Sequence, residues 1–124
     1  KKVSAFVPSA LFALLHISGS MSIIDILQLL LAGITVGVMF SSVTYAKDTV
    51  NNSIVIHGVW NFFILGIIGI SVKPNTTPLV SYVIRSENMW ITGGTFGIES
   101  GLPAIIGYCI VILFAVLSKH KIEE

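Results

Sequence analysis

Two histidines and an asparagine carry the chemistry this chain could perform. His57 and Asn61 stand four residues apart in an uncharged, apolar run from Thr49 to Val72, so on a helix they share one face. Gly58 leaves the adjoining helix surface bare, and Trp60 faces elsewhere. His16 follows Phe12 by four residues in an earlier apolar run. Polar side chains inside hydrocarbon are costly, and an intramembrane ionisable residue is functional by default. An imidazole can carry a proton or hold a metal, and an amide can donate to a developing oxyanion. Two imidazoles and an amide could bind a zinc ion, with water in the remaining position. Two histidines on separate spans could also be the axial ligands of a haem. The bland alternative is that His57 and Asn61 form an interhelical hydrogen-bonded pair, worth about 0.6–2 kcal/mol in a membrane bundle. His120 lies between Lys119 and Lys121 and reads as a solvated surface residue. Asp25 and Glu99 each fall at an expected helix start, where acidic residues suit the first turn. We therefore expect no carboxylate here to serve as a general base.

The elements that must position these residues follow from composition. A chain that is 54% hydrophobic and only 10% charged, with a mean hydropathy of +0.93, is excluded from the ordinary soluble class. Charge-free runs separate Lys2 from Asp25, Asp25 from Lys47, Asp48 from Lys73 and Glu99 from Lys119; each approaches the roughly 20 residues a membrane helix needs. The expectation is an all-α, polytopic membrane bundle, one domain over residues 1–124, with spans near 3–17, 23–45, 52–71 and 102–117. Pro8 kinks the first span or marks its first turn, and Ser18-Gly19-Ser20 makes the turn that follows. Gly33 and Gly37 form a G-x-x-x-G pair that lets another helix come close.

Residues 72–100 hold Pro74, Pro78, Arg85, Glu87, Gly93, Gly94 and Gly97. That stretch exceeds the roughly 12–15 residues of an ordinary unstructured connection, which predicts a structured cap outside the membrane. Within it, residues 79–84 suit a short interfacial helix or strand, and Trp90 a headgroup-level anchor. With four spans, both termini share a side with the Lys47 loop. That side gathers Lys1, Lys2, Lys47, Lys119 and Lys121 against Lys73 and Arg85 on the other, so both termini are expected in the cytoplasm. A net charge of +1 gives no basic field for nucleic acid. Cys109 is the single cysteine and can form no internal disulfide.

Phe12-Ala13-Leu14-Leu15-His16, followed some forty residues later by His57-Gly58-Val59-Trp60-Asn61, resembles the CPBP family of intramembrane proteases. That family includes CAAX prenyl endopeptidases and bacterial Abi and bacteriocin-immunity proteins. Ser9-Ala10-Leu11 before the first motif is similar to its usual context. Trp90-Ile91-Thr92-Gly93-Gly94-Thr95-Phe96-Gly97-Ile98-Glu99 looks like the loop before the last helix of many bacterial members. The resemblance covers essentially the whole chain. It implies peptide hydrolysis within a bacterial cell membrane, among lipids, on a membrane-associated or prenylated peptide or protein. It implies His16, His57 and Asn61 as catalytic residues. His16 and His57 would either coordinate a metal, zinc being the candidate, or act directly with Asn61 on the oxyanion.

The family's Glu-Glu-x-x-x-Arg helix, whose glutamate would activate the water, is missing; the one Glu-Glu, Glu123-Glu124, has no arginine after it. We therefore expect a C-terminal portion of a longer protein, inactive alone. The competing readings are a non-catalytic immunity or scaffold protein of the same fold, and a bis-histidine haem protein. A shared site also requires an adjustment in depth. With spans one and three flush at one face, His16 would lie roughly 13 Å deeper than His57, at 1.5 Å per residue.

Overall fold

Ser22 and Asp25 cap each other at the start of the longest helix. The Ser22 hydroxyl accepts from the Asp25 amide at 3.2 Å, and the Asp25 carboxylate accepts from the Ser22 amide at 3.0 Å. Two of the otherwise unpaired first-turn donors are thereby satisfied. The computed structural model describes residues 9–11, 14–17, 19, 21–72 and 76–123, without the side chains of Leu65 and of residues 120–123. Pro8, Phe12, Ser18, Ser20 and Pro74 lie outside the described residues. Of the first expected span, residues 9–11 and 14–15 are helical.

Helix α1 (Ile23–Lys47) ends at Asp48, whose φ of 53° turns the chain back. Helix α2 (Asn51–Asn61) then packs antiparallel to α1. Ser53 donates to the carbonyl of Phe40 at 2.9 Å and shares a 2.8 Å hydrogen bond with Thr44. Gly37 supplies the expected close approach, because a Cβ there would overlap the side chain of the buried Ser9.

Beyond Asn61 the expected third span departs from a regular helix. The coil widens into a π-helical segment, Phe62–Ile67, and then becomes strand β1 (Ile68–Ser71). Gly66 and Gly69 alternate there with Ile64, Ile67, Ile68 and Ile70. Glycine and β-branched residues are weak helix formers, and the latter favour strands. β1 pairs in parallel with β2 (Val80–Val83), Ile68 opposite Val80, so the 79–84 stretch takes the strand option. One helical turn, α3 (Met89–Thr92), and a 3-10 turn, Ile98–Ser100, lead into α4 (Leu102–Glu123). The cap is therefore folded.

Gly93 ends α3 with φ 79°, where a Cβ would run into the Gly97 carbonyl. The Ser100 hydroxyl donates to the Gly93 carbonyl at 2.7 Å, closing the glycine-rich turn. This turn rests on α1. Asp25 accepts from the Thr95 amide at 3.1 Å, and Gln28 donates to the Met89 carbonyl at 2.9 Å.

α1 and α4 run parallel. Asp25 meets Thr95 at one end, Met39 packs on Ala104 and Tyr108 in the middle, and Lys119 sits 3.1 Å over the Tyr45 ring at the other. Ile23–Lys47 and Leu102–Lys119 are long and apolar enough to cross a membrane. The fold is mostly helical, and α4 turns Ile106, Ile110, Leu113, Phe114 and Leu117 outward, each at least half exposed.

Candidate functional site

The pair picked out by spacing is also a pair in space. Asn61 Nδ2 lies 3.0 Å from His57 Nε2. The amide nitrogen can only donate, so Nε2 is the acceptor of this hydrogen bond. The His57 ring stands edge-on to Phe40 of α1, centroids 5.5 Å apart. Nothing lies within 4 Å of where a Cβ on Gly58 would project, so this side of α2 is bare, as the sequence implies.

His57 and Asn61 line a half-open cavity of about 1020 Å³ bordered by α1, α2, α4 and the end of the cap. Its walls are mainly apolar, with Leu29, Val36, Met39, Phe40, Ala104 and Val111 among them. Ser9, Ser41, Ser53, Tyr108 and Glu99 add polar atoms. Such a chamber suits a ligand that is largely hydrocarbon and carries a few polar groups at one end.

His16 is not among the lining residues. Its ring meets Phe96 of the cap edge-on, centroids 5.6 Å apart, and Phe96 itself lines the cavity. One helical turn along from His57, Trp60 reaches the cap three residues further on, where its indole Nε1 donates to Glu99 Oε1 at 2.7 Å. The two histidine-bearing segments thus approach the same stretch of cap, at Phe96 and at Glu99.

Residues 1–63 match the family of type II CAAX prenyl endopeptidase Rce1-like proteins, just over half of the 124. The chain belongs to that family. No curated protein and no solved structure matches it. The matched segment contains His16, His57 and Asn61. Membership in the Rce1-like family and the two apolar helices make this an integral membrane protein, with a peptide or protein as the substrate class of the family.

The fit to zinc is poor on the residues described. A catalytic zinc takes three protein ligands and a water. Among the described residues no three His, Cys, Asp or Glu side chains cluster to hold a metal ion, and His57 Nε2 is already engaged by Asn61.

Glu99 is the residue that sequence reasoning passed over. Its place in the first turn before α4 is as expected, but its carboxylate reaches the cavity and takes the Trp60 indole. The signal was 39 residues away, in the tryptophan beside Asn61, and no local pattern connects the two.

Proposed function

We propose that this Rce1-like chain forms the hydrolytic site of an intramembrane endopeptidase acting on prenylated or otherwise membrane-associated peptides, with His16, His57 and Asn61 as its working side chains. The observation that carries the proposal is the His57–Asn61 pair, hydrogen-bonded within the family-matched segment and set in the wall of an apolar chamber. Such walls accept a hydrocarbon chain from the surrounding lipid without exposing it to water. A chain seated there holds the attached peptide carbonyl near the polar pair.

As water adds to the carbonyl carbon, negative charge grows on its oxygen. The Asn61 amide, turning from His57, donates to that oxygen, with His57 beside it in the cavity wall; a part for His16 in the same stabilisation is what the family resemblance implies. A donor brought onto developing charge in mainly apolar surroundings is worth more than the same donor in water. The resemblance supplies the proton acceptor for the water from a Glu-Glu-x-x-x-Arg motif that these 124 residues do not contain. We assign to this chain the oxyanion contacts and the housing of the substrate. We place both termini and the Lys47 turn in the cytoplasm and the cap outside, from the distribution of lysines.

The test is cleavage of a farnesylated CAAX peptide by the full-length protein in lipid vesicles. The wild type cleaves, and His57→Ala lowers the rate at least about 100-fold. A wild type without cleavage, or a His57→Ala variant at full rate, returns the protein to the immunity or scaffold class. No step is assigned to zinc, so a chelator leaves the rate unchanged. Loss of cleavage restored by added zinc would put His16 and His57 in a metal site instead.

A further inference from the structure

We propose that Glu99 is a positioning residue for this site: its carboxylate holds Trp60, and through Trp60 the helical turn bearing His57 and Asn61, against the cap. The proposal rests on the endopeptidase reading and goes beyond it in naming what fixes the geometry.

Glu99 is the one carboxylate among the described residues that line the cavity. Glu99 is half-buried, so its carboxylate keeps part of its contact with solvent while one oxygen takes the Trp60 indole. The Trp60 indole donates to Oε1 at 2.7 Å, a well-formed hydrogen bond by length. Glu99 is itself held from α4, where the Tyr108 hydroxyl donates to its backbone carbonyl at 3.2 Å. The Trp60 ring meets the Tyr108 ring at 62°, centroids 6.3 Å apart. Trp60, Glu99 and Tyr108 thus form a closed triangle between α2 and α4.

The site's helix needs such a hold. Trp60 immediately precedes Asn61 and follows His57 by three residues, so its indole fixes the rotation of that turn. The face at Gly58 is open, with no neighbour to pack against. Just past Asn61 the regular helix gives way to the π segment. At its other end α2 is pinned by Ser53 to the Phe40 carbonyl. His57 and Asn61 therefore hang between two polar clamps, Ser53 and Trp60, and the second one depends on Glu99.

The experiment compares Glu99→Leu, Glu99→Gln, Trp60→Phe and the double Glu99→Leu/Trp60→Phe variant in the full-length protein, cleaving a farnesylated CAAX peptide in vesicles. Glu99→Leu lowers kcat about 100-fold with KM little changed, the scale of a misplacement near 1 Å. Trp60→Phe does the same, and the double variant is no slower than the slower single one, because both remove one contact. Glu99→Gln, whose amide oxygen still accepts from the indole, recovers most of the lost kcat. A Glu99→Gln variant as slow as Glu99→Leu overturns the proposal, since the charge itself would then be needed. Full rate in Glu99→Leu or Trp60→Phe, or additive losses in the double variant, also overturns it.

His57→Ala in the same assay keeps the two claims apart: full activity there defeats the endopeptidase reading. The contact is then read by fluorescence in a Trp90→Phe background, where Trp60 is the remaining tryptophan of these residues. Its emission moves to shorter wavelength in Glu99→Leu and stays in place in Glu99→Gln. Equal emission in both variants overturns the assignment of Glu99 to Trp60.

Discussion

Asn61 has two partners to serve, His57 in the resting site and the oxyanion during reaction. Both roles use the same Nδ2, 3.0 Å from the imidazole. Asn61→Leu keeps nearly the same volume and removes the donor. On the proposed mechanism it lowers kcat by about 10²–10³-fold with little change in KM, which steady-state kinetics on the vesicle-bound protein will measure. This pair was legible in the chain because residues at i and i+4 meet on any helix. The Trp60–Glu99 contact was not. Glu99 looked like an ordinary first-turn acid, and nothing within four residues of it names the indole it accepts from.

Capping, close approach and the change of coil each set where the site helix sits. The Asp25 carboxylate accepts from the amide and hydroxyl of Ser22 and from the amide and hydroxyl of Thr95. It is a helix cap and a cap anchor together, at 8% exposure. Asp25→Ala leaves those donors short of an acceptor, and a loss of about 1–3 kcal/mol is expected, visible as a lower denaturation midpoint in detergent. Gly37→Leu drives a side chain into Ser9. Overpacking of this kind costs about 1–3 kcal/mol, and the same unfolding measurement checks it.

The third apolar run shows the limit of hydropathy as a guide to elements. Its residues are as apolar as a span requires. Yet glycine spacing and β-branching carry it from α2 through a π segment into β1. Hydropathy reports what solvent a segment tolerates, whereas backbone preference and pairing decide its form.

Because α1 and α4 run parallel, Lys47 and Lys119 end on one side of the molecule and the folded cap sits at the other. The outward face of α4 sets Ile106, Ile110, Leu113, Phe114 and Leu117 side by side, each at least half exposed, an apolar face suited to lipid. Orientation can be read by labelling single cysteines after Cys109→Ala. Lys47→Cys and Lys119→Cys react with a membrane-impermeant reagent from the cytoplasmic side, and Glu87→Cys only from the opposite side. Labelling of Lys47→Cys and Lys119→Cys from different sides would contradict both the helix pairing and the proposed topology.

Sequence alone determined the membrane class, the helical character, the family motifs and the His57–Asn61 face. All of these depend on composition or on residues within one helical turn of each other. Tertiary structure decided the rest. It folded the glycine-rich stretch into a cap resting on Asp25, and it set His16 against Phe96 rather than in the cavity lining. It also brought Glu99 to Trp60 across 39 residues. Such contacts arise from packing whole helices against one another, a choice made by shape and buried area that no local spacing encodes.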